Sequence, residues 1–134
     1  MTAASRPPIR FAAIGLNHNH IYGQTRAMLN AGAELVSVFA EEDDLAADYI
    51  KAFPQARRVL DKRAILEDNS IQLVVSATIP DVRAATAIEV MRHGKDVMVD
   101  KPGVITLDEL AEVRKVQRET GRIFSVCFSE RFEN

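Results

Sequence analysis

Residues 9–15 read Ile-Arg-Phe-Ala-Ala-Ile-Gly and run directly into Leu16-Asn17-His18-Asn19-His20. A short apolar run closed by a glycine predicts a buried strand with a tight turn at its carboxyl end, because glycine alone takes a positive φ without steric cost. Helical spacing follows, with Ile21, Met28 and Leu29 one to two turns apart, until Ala31-Gly32 stops it. The same unit recurs along the chain. Leu35–Ala40 predicts a second strand, and Glu41-Glu42-Asp43-Asp44 open the next helix, where carboxylates suit the positive end of the helix dipole. A short strand at Arg58–Leu60 and a short helix at Arg63–Leu66 come next. The β-branched run Ile71–Ser76 predicts the fourth strand, and a helix from about Asp81 to His93 halts at Gly94. Asp96–Val99 forms the fifth strand. Thr106-Leu-Asp-Glu109 has capping-box spacing for a helix ending at Thr120-Gly121, and Ile123–Phe128 is the last strand.

Strands alternating with helices predict an α/β fold, a doubly wound parallel six-stranded sheet with helices on both faces. The expected strand order is 3-2-1-4-5-6. The predicted domain spans residues 9–128, after a polar, proline-containing tail at residues 1–8 expected to be flexible.

Composition narrows the class of function. The chain has 134 residues, 17 Lys+Arg against 19 Asp+Glu and a formal net charge of −2. With a mean hydropathy of −0.07 and pI near 5.9, it offers no basic field for nucleic acid and no Lys/Arg block for an anionic membrane. No apolar run approaches the roughly 18–20 residues of a membrane span. The single cysteine, Cys127, excludes an intrachain disulfide framework and a cysteine-cluster zinc site. The first eight residues lack the apolar core of a secretory signal, so a cytoplasmic location is expected.

In such sheets, ligands bind at the carboxyl ends of the strands. A dinucleotide fingerprint would place glycine at positions 15, 17 and 20. Here they are Gly15, Asn17 and His20. Asn17 tolerates a left-handed conformation and carries an amide able to donate to phosphate, while an ordinary strand–helix turn explains the stretch equally well. His18 and His20 invite a metal reading, but the remaining histidine, His93, falls at the far end of another helix, so no metal site is expected. After the second strand stands Ala40, and Glu41 one residue later is the candidate for a ribose hydroxyl; a solvated acidic first turn is the plain alternative. Four consecutive acids and the lack of a nearby arginine disfavour a 2′-phosphate. Ala77-Thr78 leave the fourth strand, with a hydroxyl for a ligand or simply a loop before a helix. Asp100-Lys101-Pro102 leave the fifth, placing an amine where a proton donor or acceptor is useful.

The stretch Gly94-Lys95-Asp-Val-Met-Val-Asp100-Lys101-Pro102, followed by Thr106-Leu-Asp-Glu-Leu110, resembles the nucleotide-binding domain of the glucose–fructose oxidoreductase/inositol dehydrogenase (Gfo/Idh/MocA) family. Val74-Val75-Ser76-Ala77-Thr78, Ala87 and Glu130-Arg131-Phe132 are similar to further parts of that pattern. The resemblance implies a Rossmann domain binding NAD or NADP, with NAD favoured by the acids after Ala40. It implies cofactor contacts at Gly15, Thr78, Asp100 and Lys101, with Lys101 as the catalytic residue beside the nicotinamide; the strand-end positions add Asn17, His20, Glu41, Ala77 and Pro102 as candidate cofactor contacts. Asn17, His20, Ala40, Ile79 and Arg83 depart from the family's usual Gly, Gly, Asp, Pro and His. Residues 129–134 would begin the connection to a C-terminal substrate domain that is absent here. The expected activity is hydride transfer to or from a hydroxyl-bearing, sugar- or polyol-like substrate, with this chain alone inactive. The partners are then the dinucleotide and, with the missing domain, a small molecule; a homo-oligomer is left open. Two other readings compete. One is a degenerate nucleotide-binding or assembly module. The other is a phospho-receiver domain, which shares Thr78 and Lys101-Pro102 but lacks the acidic pair after strand 1.

Overall fold

A computed structural model describes residues 6–127. The first five residues of the expected tail, Phe128 at the end of the last strand, and the Glu130-Arg131-Phe132 stretch lie outside the described residues.

The elements run β1 (Arg10–Ile14), α1 (His20–Asn30), β2 (Glu34–Phe39), α2 (Asp43–Ala52), β3 (Arg57–Arg58), α3 (Arg63–Leu66), β4 (Leu73–Ser76), α4 (Pro80–Arg92), β5 (Asp96–Asp100), α5 (Leu107–Thr120) and β6 (Phe124–Cys127). All strand pairs are parallel and the sheet order is β3-β2-β1-β4-β5-β6. This is the predicted order.

Side chains alternate across β1 because a strand has period two. Phe11 and Ala13 enter one core layer with Ile21 of α1 and Ala46 and Tyr49 of α2. Ala12 and Ile14 enter the opposite layer with Ala84, Ala87, Val90 and Met91 of α4 and Val113 and Val116 of α5. Both faces of the sheet are therefore covered, which is why its strands carry almost unbroken apolar runs.

The helix boundaries follow local chemistry. Gly32, Gly94 and Gly121 carry φ of 93°, 77° and 68°, the first two one residue past the C-caps of α1 and α4 and the third at the C-cap of α5 itself. Thr106 caps α5 reciprocally, accepting from the Glu109 N–H at 3.0 Å while the Glu109 carboxylate accepts from the Thr106 N–H at 3.1 Å. Among the described residues, no helix is long and apolar enough to cross a membrane.

Candidate functional site

A parallel sheet brings every strand's carboxyl end to one rim. Gly15, Ala40, Ala77 and Lys101 therefore stand along a single edge, each following a different strand. The β1 turn is tied to the β4 exit, with the Ala77 N–H donating to the Gly15 carbonyl and the His18 N–H to the Ala77 carbonyl, both at 3.1 Å. Gly15 has φ 85°, and a Cβ there would collide with Cγ2 of Thr78. Two independent constraints thus demand glycine at this position.

The predicted residues gather in two groups. Gly15, Asn17, Glu41 and Thr78 line a cavity of about 780 Å³, together with Ala40, Glu42 and Lys62. His20, Asp100, Lys101 and Pro102 lie outside that lining, around the end of β5, and Ala77 is buried behind the rim.

Within the cavity, the Asn17 amide donates to Glu42 Oε2 at 3.0 Å, so it is held by an acid of the following unit. Thr78 is buried and its Oγ1 has no hydrogen-bond partner among the described residues. Lys62 pairs with Glu89 at 2.8 Å. The structure corrects one sequence expectation here. An arginine does stand near Ala40: Arg58 Nη2 donates to the Ala40 carbonyl at 3.3 Å and to Asp43 Oδ1 at 2.7 Å. Parallel pairing of β3 on β2 sets Arg58 beside Val38, a neighbourhood invisible along the chain. The argument against a 2′-phosphate from a missing arginine therefore falls.

The second group centres on Asp100, 1% exposed at the end of β5. Its Oδ1 accepts the Lys101 N–H at 2.8 Å and lies 2.9 Å from His20 Nδ1. An ionised carboxylate only accepts, so His20 carries its proton on Nδ1. Oδ2 lies 3.6 Å from His18 Nδ1 and 3.8 Å from Arg83 Nη2. His18 Nδ1 also accepts the His20 N–H at 3.1 Å, so a histidine occupies the first-turn donor that an anion would use. Arg83, buried in α4, donates through Nη1 to the Pro102 carbonyl at 2.9 Å and through Nε to the Thr78 carbonyl at 3.1 Å. It ties the turns after β4 and β5 into one unit. Burial pulls its guanidinium below the ordinary arginine range, and the charge of Asp100 opposes that shift.

Sequence reasoning noted Arg83 only as a departure from a family pattern, and weighed His18 without its partner Asp100. His93 is placed as expected, at the carboxyl end of α4, where its Nδ1 meets the Glu89 carbonyl at 2.8 Å.

The group that a Rossmann sheet of this kind implies, a nicotinamide dinucleotide, fits the cavity in part. The acids at the end of β2, the glycine turn against Thr78 and the unpartnered Thr78 hydroxyl suit its adenosine and phosphate portions. The His18 contact to the first turn of α1 would have to yield to a diphosphate.

Comparison with known proteins is consistent with this layout. Residues 9–128 match the model of the Gfo/Idh/MocA oxidoreductase family, described as an NAD-binding Rossmann fold. A scyllo-inositol 2-dehydrogenase (NAD(+)) of Bacillus subtilis (strain 168) is 27% identical over 126 residues, which is 93% of this chain and 37% of the relative. A candidate oxidoreductase from Erwinia carotovora atroseptica SCRI1043 superposes with a TM-score of 0.88 at 42% identity, covering 91% of this chain and 37% of that one. Biliverdin reductase from Synechocystis sp. PCC 6803, solved with biliverdin and NADP+, gives a TM-score of 0.78 at 26% identity, covering 94% of this chain and 40% of that one. The chain thus spans little more than a third of the length of each of these relatives. By the family match over nearly its whole length, and by its strand order and rim geometry, this chain belongs to the Gfo/Idh/MocA oxidoreductase family as an NAD-binding Rossmann domain.

Proposed function

We propose that the chain is the cofactor half of a nicotinamide-dependent oxidoreductase acting on a hydroxyl-bearing, sugar- or polyol-like substrate. The observation that carries this reading is the glycine turn of β1, closed against Thr78, opening on the acid-lined cavity at the carboxyl rim of the sheet. When bound, the nicotinamide supplies hydride acceptance or donation. The chain's own residues hold and orient it. Gly15 lets the backbone approach the phosphates, Glu41 accepts from a ribose hydroxyl, and Thr78 offers its hydroxyl. Asp100 holds the Lys101 N–H, and the Lys101 amine exchanges the proton of the reacting hydroxyl. Four acids after Ala40 favour NAD over NADP, and Arg58 is already engaged by Asp43. In this reading the described residues serve the cofactor, and the pocket for a polyol is supplied from outside them.

A non-catalytic nucleotide-binding module is the second reading. It is favoured by the contact of His18 Nδ1 to the first turn of α1, which competes with a diphosphate. Fluorescence titration with NADH and NADPH tests both readings. Saturable NADH binding that weakens severalfold in Glu41→Gln, with unchanged thermal stability, supports the cofactor role. Binding of neither dinucleotide at millimolar concentration overturns it. Lys101-dependent polyol oxidation by the isolated chain would refute the division of labour.

A further inference from the structure

His18 and His20, which in the sequence lack a third partner, acquire one in the fold. One nitrogen from each imidazole and one oxygen of Asp100 lie within 4.8 Å of one another. At metal–nitrogen and metal–oxygen lengths near 2.0–2.2 Å, tetrahedral ligand atoms stand about 3.3–3.6 Å apart. His18 Nδ1 lies 3.6 Å from Oδ2 of Asp100, within that range, and His20 Nδ1 lies 2.9 Å from the other oxygen, Oδ1, a contact that would open on binding.

The facing groups also point to a cation. His18 Nδ1 stands 3.1 Å from the His20 backbone nitrogen and 3.6 Å from Asp100 Oδ2, so it and the carboxylate face one another across the space an ion would take. Asp100 is aimed from behind: the Lys101 N–H holds Oδ1, and Arg83, anchored on the Thr78 and Pro102 carbonyls, stands beside Oδ2. Such outer partners orient a ligating carboxylate. The imidazoles stand on the open side, with side chains 53% and 32% exposed for His18 and His20, so an ion can enter and keep a coordination position for water or a ligand oxygen.

We propose that His18, His20 and Asp100 form a site for a divalent transition-metal ion of the zinc, cobalt or nickel type. Binding through His20 Nδ1 requires the proton in the contact to Asp100 Oδ1 to leave to solvent while Nε2 takes one up, so the ligating imidazole stays neutral and no oxidation state changes. Arg83 offsets the single carboxylate, so the imidazole nitrogens supply most of the attraction. That balance selects borderline metals over magnesium or calcium, which prefer several oxygen ligands. The proposal does not need the nucleotide reading, but an ion that holds His18 in place would oppose a diphosphate at the first turn of α1.

The test is a titration of the tag-free, metal-stripped chain with Co²⁺, followed by visible absorption, and with Zn²⁺ by competition. One ion per chain is expected, with affinity falling more than about tenfold in His18→Ala and in His20→Ala. Far-UV circular dichroism should show both variants folded, and His93→Ala should bind as the parent does. Excess Mg²⁺ should leave the cobalt spectrum unchanged. Absence of binding by the folded chain, cobalt affinity surviving in the His18→Ala/His20→Ala double variant, or displacement by Mg²⁺ would each overturn the proposal.

Discussion

Arg83 and Asp100 approach to 3.8 Å behind the rim, each with its side chain 2% exposed. Removing one member of a buried charge pair strands the other, which costs about 3–5 kcal/mol. Arg83→Met should therefore lower the unfolding free energy by about 3 kcal/mol or more in urea titrations. The double variant with Asp100→Asn should recover a substantial part, revealing coupling of at least about 1 kcal/mol. Strict additivity would show that the ion pair contributes nothing.

Gly15→Ala should be among the most damaging single-methyl changes. The alanine would meet both an unfavourable φ of 85° and Cγ2 of Thr78, and backbone strain alone costs about 1–3 kcal/mol. Combining it with Thr78→Ser removes the colliding methyl but leaves the strain. The double variant should melt above Gly15→Ala and below the parent. Equal melting temperatures for Gly15→Ala and the parent would remove the close-approach argument.

At α5, Thr106 and Glu109 satisfy each other's backbone donors. Thr106→Ala should destabilise the domain by about 1 kcal/mol and Thr106→Ser by much less. Chemical denaturation distinguishes these outcomes, and a neutral alanine would mean that packing of Val113 and Val116 alone sets the helix start.

Lys95 gives a pH-dependent signature. Its buried Nζ donates to the Asp68 carbonyl at 2.6 Å and the Ile71 carbonyl at 2.8 Å. Burial holds its ammonium below the ordinary lysine range, with the Asp68 carboxylate opposing. The unfolded chain then binds the Lys95 proton more tightly than the folded one. Between the lowered native value and about 10.4, the unfolded state carries more protons, so the Lys95 contribution to stability rises with pH. Below that window both states are protonated and the burial penalty is present in full. Lys95→Met leaves two carbonyls unpaired, an expected loss of about 1–3 kcal/mol at neutral pH. The parent's lead over the variant should widen as pH rises toward about 10.4. A narrowing gap would reverse the assigned sign.

The elements were legible because their signals are local. The apolar run ending at Gly15, the Thr106–Glu109 spacing and the glycines at 32, 94 and 121 each report on a few neighbouring residues. Strand ends moved by a residue or two, as at β4, which begins at Leu73 rather than Ile71. The rim was less legible. Arg58 reaches Ala40 only through the register of β3 on β2, and His20 meets Asp100 only because α1 starts above the end of β5. Such contacts depend on parallel pairing between distant segments, which side-chain periodicity does not encode.

The central position of β1 has a temporal corollary. One of its edges pairs with β2, but the other waits for β4, where Phe11 meets Leu73 and Ala13 meets Val75. A chain emerging from the ribosome therefore carries β1 with a bare edge until Leu73–Ser76 have been made. Non-local parallel pairing of this kind closes slowly, and an unpaired apolar edge invites other chains. The interval before β4 arrives is when a nascent copy is most exposed to aggregation and has most to gain from a chaperone.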